Sequence, residues 1–141
     1  MGVVADWGMY ANRFYMDGHF CAGLSQAADA LVQIGHPDAA RLREAAAEYR
    51  AQILEAYHWT QERSPVRLRA DGTWAPAAPG MAYCFGTVGE FFPGEDWGRT
   101  WAGDVEIGPH HLAALELMDA GNRATDWARD EMEEALPLIP I

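Results

Sequence analysis

Two amphipathic stretches separated by a three-residue break constrain this chain more than any other feature. Phe20, Leu24, Ala27, Leu31 and Ile34 fall at steps of three and four, the spacing of one face of an α-helix. Gly35-His36-Pro37 then supplies a glycine placed to end a helix and a proline that cannot continue one. The period restarts over 37–61 with Ala39, Leu42, Ala46, Tyr49, Ile53 and Ala56 or Tyr57. Arg41, Arg43, Glu44, Glu48, Arg50 and Glu55 occupy much of the remaining surface. Two such helices with so short a connection must pack antiparallel. If Leu31 lies in their seam, Leu31→Ala should cost ~2–5 kcal/mol.

The rest of the chain is read around this helix pair, over 20–61. Residues 1–19 form an aromatic, irregular segment in which Asp17-Gly18 reads as a turn. Pro65, Val66 and Leu68 suggest a short strand, Ala70-Asp71-Gly72 a turn, and Thr73-Trp74 the returning partner. The segment 62–108 is otherwise loop-like and glycine-rich. It carries Trp74, Tyr83, Phe85, Phe91, Phe92, Trp97 and Trp101, far too aromatic for a disordered linker, so an ordered functional loop is expected. A second helix pair is expected over 109–136. Leu112, Leu115 and Met118 or Asp119 carry its first helix, and Thr125 or Asp126 caps its second, which holds Trp127, Met132 and Leu136. The tail 137–141 is apolar. The expected fold is all-α, a single domain of antiparallel αα-hairpins with one small β-hairpin in a long aromatic loop.

Composition narrows the function classes. Half of the 141 residues are hydrophobic, enough for a packed core at this size. No run approaches the ~20 apolar residues of a membrane span, and the first ten residues lack a secretory pattern, so a cytoplasmic location is expected. A net charge of −11 disfavours nucleic acid and anionic membrane as partners. All ten cations are arginine, which excludes lysine Schiff-base chemistry and a pyridoxal-phosphate lysine. Cys21 and Cys84 form no CxxC pair, and two free thiols are expected. No cofactor or bound metal is expected.

If the helices alternate up and down, Asp17 and His19, the whole loop 63–108, and the run from Asp104 to His111 collect at one end. Functional groups concentrate on loops held by a rigid scaffold, so the site is expected there. The chemistry at that end is acids, aromatics and histidines. Sugar C–H faces stack on Trp and Tyr while carboxylates accept hydroxyl protons, and paired carboxylates cleave glycosidic bonds. Asp104 and Glu106 would share a face if extended and are the expected catalytic pair, with His19 beside Asp17 as a candidate general base. Trp74, Tyr83, Trp101, His110 and Arg99 are the expected substrate contacts. Adjacent His110 and His111 diverge by about 100° on a helix, which disfavours joint metal ligation. Cys84 shows no basic neighbour in sequence that would activate a thiolate.

Four segments together resemble the six-hairpin glycosidase class: Asp17 to Leu24 leading into a helix, Arg63-Ser-Pro-Val66, Asp71-Gly-Thr-Trp-Ala-Pro76, and Trp101 to Gly108. The resemblance covers roughly residues 15–136. It implies an (α/α)6 toroid whose loops line a funnel at one end, and a hydrolase acting on glycans. Six hairpins need more than twice this length, so the chain resembles an arc of such a ring, expected to assemble as a homo-oligomer. A non-catalytic sugar-binding or structural module, and a small metal- or Cys/His-dependent hydrolase, are the alternative readings.

Overall fold

The computed structural model describes residues 12–85 and 108–135. Among these residues six elements follow in order: α1 (Phe14–Gln33), α2 (Ala39–Gln61), β1 (Val66–Leu68), β2 (Trp74–Pro76), α3 (His110–Ala114) and α4 (Arg123–Ala135). The protein is mostly helical with a small two-stranded antiparallel sheet, and no described helix is long and apolar enough to cross a membrane.

The turn between α1 and α2 forms as its glycine predicts. Gly35 is left-handed at φ +67°. The His36 N–H donates to the Leu31 carbonyl at 2.9 Å and the Gly35 N–H to that of Val32 at 3.0 Å, satisfying carbonyls that the helix end leaves open. The pair is antiparallel: Asp17 meets Tyr49, Cys21 meets Ala46 and Asp29 meets Arg43. On α2 the apolar stripe is the buried one, with Ala39, Ala46, Ile53 and Tyr57 in the core.

On α1 the expected boundaries and face are both corrected. The helix starts at Phe14, six residues early, and Asp17-Gly18 lies within it rather than in a turn. Its first turn is anchored from outside, with Arg13 bridged to Met81, the Phe14 N–H on the Gly80 carbonyl and the Ala82 N–H on that of Asn12. Its buried residues are Phe14, Asp17, Gly18, Cys21 and Ala28. The predicted stripe faces outward: Phe20 is 58% and Ile34 74% exposed, Ala27 is exposed, and Leu24 and Leu31 are half-buried. The reason is steric. A Cβ on Gly18 would lie 3.0 Å from Leu112 Cδ2, so α3 can approach α1 there only because the side chain is missing. Small Cys21 and Ala28 similarly leave room for α2.

The hairpin pairs Val66 with Pro76, Arg67 with Ala75 and Leu68 with Trp74. Asp71 Oδ1 accepts the Thr73 N–H and hydroxyl, and Gly72 takes φ +83°. The sheet meets α4 through charge: Arg67 pairs with Glu131, and Arg69 with Glu134 and Asp130. Burial pushes the Glu131 carboxyl up, against the Ala78 N–H and the two arginines.

The second helix pair is shorter than predicted. α3 ends at Ala114 because Glu116 turns left-handed, φ +59°. The Leu117 N–H returns to the Leu112 carbonyl and Arg50 clamps the Glu116 and Leu117 carbonyls. This turns Leu117 and Met118 into the core beside Leu112, Ile53 and Tyr57. The cap of α4 is Asn122, whose Oδ1 accepts the Ala124 N–H at 2.9 Å. Thr125 is inside the helix and donates to the Asp119 carbonyl.

Candidate functional site

The start of α1, residues 80–85 and the start of α3 come together, and two groups of side chains gather on opposite flanks of α1. On the α2 side lies a cleft of about 270 Å³. Its apolar floor includes Phe14, Ile53 and Ala82, and its polar lining is Asn12, Asp17, Tyr49, Gln52 and Tyr83. Asp17 is only 8% exposed, and its Oδ1 accepts a hydrogen bond from the Tyr49 hydroxyl at 2.8 Å. That phenol is held protonated well above its usual range by burial, then by its hydrogen bond to Asp17 and the Asp17 charge. The lining thus offers a fixed carboxylate, two amides and two phenols around an apolar base.

Tyr83 forms the rim. It is a non-glycine residue at φ +65°, a conformation that costs of order 1–3 kcal/mol and persists only when its surroundings enforce it. Here the Thr60 hydroxyl does so, accepting the Tyr83 N–H at 2.9 Å. The ring stays 56% exposed and packs edge-on against Trp59, centroid to centroid 5.4 Å. Trp59 also meets Phe85 at 6.3 Å, and the Arg63 guanidinium lies 3.9 Å over the Trp59 ring. The cleft therefore opens beside an exposed aromatic surface.

The other flank carries imidazoles. His19 meets Tyr15 edge-on (4.8 Å) and His111 at a tilt (5.4 Å), and His110 meets His111 at a tilt (4.4 Å). Burial, then the His111 charge, hold His110 below the ordinary imidazole range. Among the described residues no group of three or more His, Cys, Asp or Glu side chains is arranged to hold a metal ion.

Of the residues expected from sequence, the cleft unites Asp17 and Tyr83. It does not unite Asp17 with His19. Two residues apart on a helix, they point about 200° apart, so the expected general-base pairing is not formed. His110 joins His19 on the imidazole flank. Trp74 is 63% exposed on the sheet and is not in the cleft lining. Asp104, Glu106, Trp101 and Arg99 lie outside the described residues. Tyr49, Gln52 and Trp59 were missed. Tyr49 reads as core from its stripe position, and only its hydroxyl hints at a polar task. Trp59 followed four residues later by Arg63 is a stacking spacing that the sequence does contain.

A second groove, about 490 Å³, runs along the helix pair and is lined by Cys21, Ser25, Asp29, Arg43 and Arg50 among others. Its charges already have partners, Arg43 on Asp29 at 2.6 Å and Arg50 on the carbonyls named above. Cys21 donates to the Ala46 carbonyl at 3.6 Å, and burial pushes its thiol up. Cys84 is also free and also raised by burial, opposed by Arg13. Neither thiol is set up as a nucleophile. The chain matches no known protein family, no characterised protein and no solved structure.

Proposed function

We propose that the protein binds a neutral sugar in the cleft between the start of α1, α2 and residues 81–83. The observation that carries this reading is the Asp17–Tyr49 pair set in an apolar-floored cleft whose rim is an exposed tyrosine. A carboxylate accepts two hydroxyl protons at fixed geometry, amides on Asn12 and Gln52 both donate and accept, and an aromatic edge covers C–H surface. A neutral ligand suits a chain of charge −11. On this reading the antiparallel α1–α2 hairpin is one unit of a six-hairpin glycosidase-like toroid arc. Glycoside hydrolysis would then require the acids Asp104 and Glu106 to act on a sugar seated beside Asp17, since a cleft with one carboxylate lacks the pair that cleavage uses.

The test is calorimetric titration with a panel of neutral sugars, together with an aryl glycoside assay. Wild type should bind at least one sugar, and Asp17→Asn should weaken it about tenfold, the order expected for a hydrogen bond to a charged group. Undiminished binding by both Asp17→Asn and Gln52→Ala would place the sugar elsewhere. Turnover lost in Asp104→Asn and Glu106→Gln would make the protein a hydrolase. Binding without turnover makes it a lectin-like module.

A further inference from the structure

We propose that the ligand is an oligosaccharide of at least two units, with one ring in the Asp17 cleft and the next against the Trp59–Phe85 surface. This rests on the sugar-binding reading of the cleft and adds the ligand's length. Three observations carry it. The cleft, about 270 Å³, is just under the ~300–1,000 Å³ of ordinary ligand pockets, which leaves room for one sugar ring and not for two. Tyr83 belongs to both places, lining the cleft and touching Trp59, so a chain leaving the cleft over its rim meets Trp59 next. Trp59 and Phe85 are each about two-fifths exposed and sit beside the more exposed Tyr83 ring, so the three rings form one aromatic surface at the rim of the cleft.

Two of the rings on this surface, Trp59 and Tyr83, are held from behind. Trp59 is held on one face by Arg63, whose guanidinium donates to the Trp59 carbonyl at 2.9 Å. Tyr83 is held by its backbone bond to Thr60, and the Thr60 hydroxyl is itself anchored on the Ala56 carbonyl at 2.7 Å. Stacking surfaces that are already ordered cost a ligand little entropy to use. The interplanar angles of 68° and 59° mean that successive rings face different directions, which suits a chain whose units rotate about each glycosidic bond.

The experiment titrates the full chain with glucose, cellobiose and cellotriose and with xylose, xylobiose and xylotriose, read by calorimetry and by protein chemical shifts. In at least one series affinity should rise about tenfold from the single sugar to the disaccharide. Trp59→Ala and Phe85→Ala should each cut that gain to less than threefold and leave the single sugar within twofold of wild type. Gln52→Ala should weaken every length alike. Equal affinity for one and three units, or a gain untouched by both aromatic variants, overturns the second position while the cleft reading stands. Failure of every sugar to bind overturns the cleft reading and this inference with it. Circular dichroism checks folding, and if Trp59→Ala unfolds, the exposed Phe85→Ala decides.

Discussion

The two helices of the α1–α2 hairpin use the same apolar period in opposite ways. On α2 the apolar stripe faces the core: Ala39, Ala46, Ile53 and Tyr57 are buried and Leu42 and Tyr49 half-buried, with Tyr57 fully enclosed and packed edge-on against Phe14 at 5.2 Å. On α1 two members of the predicted stripe, Phe20 and the capping Ile34, are outside, while the small Gly18, Cys21 and Ala28 lie inside together with Phe14 and Asp17. A period shows that a helix has an apolar face. It does not show which face a partner covers when small residues on another face allow a closer approach. On α1 the core takes the side where small residues let backbones come nearest.

Truncating one ring on each helix should have very different costs. Tyr57→Ala should cost ~3–5 kcal/mol, the range for a large buried aromatic, while Phe20→Ala should cost under ~1 kcal/mol in denaturant melts. Leu31→Ala, half-buried, belongs between them, below the ~2–5 kcal/mol that its place in the pattern predicts. Equal losses for Tyr57 and Phe20 would mean that something covers the outer face of α1. Self-association, expected from the sequence, has that face as its proposed site. Light scattering at tens of micromolar should then show at least a dimer, and Phe20→Glu should return the monomer.

Two glycines on α1 sharpen the same contrast at a smaller scale. Gly18→Ala drives a methyl to 3.0 Å from the fully buried Leu112 and should cost ~1–3 kcal/mol by overpacking. Gly23→Ala meets nothing within 4 Å and should stabilise by ~0.5–1 kcal/mol, the ordinary helix gain of alanine over glycine. A melt in which both substitutions stabilise would show that α3 is not packed on Gly18.

How much was legible in the sequence follows from where each signal resides. The Gly35 turn, the α2 stripe and the Asp71-Gly72 hairpin are set by neighbours in the chain, and they formed as read. The start of α1 was not legible, because Asp17-Gly18 has the local character of a turn and is kept helical by distant groups: Tyr49, Leu112 and the Gly80 carbonyl. The end of α3 was hidden for a related reason, since Glu116 adopts a conformation its residue type disfavours and Arg50, 66 residues away, holds the turn. At the proposed cleft, two residues singled out from the sequence, Asp17 and Tyr83, lie in one lining. Tyr49 and Trp59 were passed over, because a helix period assigns an aromatic to the core without regard to a polar tip or an exposed edge.

The smallest expected effect is in pH dependence, where the buried faces of α3 and α4 should pull in opposite directions. His110 is held below its ordinary value, chiefly by burial. The unfolded chain then takes up its proton first, so stability present above about pH 6.5 is lost as pH falls toward the depressed value. Glu131 is pushed up by burial. Its contribution is full below its ordinary value, about 4.3, and is lost as pH rises through the raised one. Thermal melts between pH 7 and 4 should therefore steepen on the acid side in Glu131→Gln, which keeps an acceptor for the Ala78 N–H, and flatten in His110→Gln. Identical profiles in both variants and wild type would show that neither group feels its burial.

The junction between the hairpin and α4 has a practical side. Every cation in it is a guanidinium, Arg67 and Arg69 against Glu131, Glu134 and Asp130, and the chain contains no lysine. Acetylation and other modifications aimed at lysine amines have no substrate there. Reagents that cap amines, including the cyanate that accumulates in old urea, will leave the junction's charges intact. A fluorophore or surface linker meant for lysine side chains will find none to attach to. Tagging by that route therefore cannot detach the sheet from the helix.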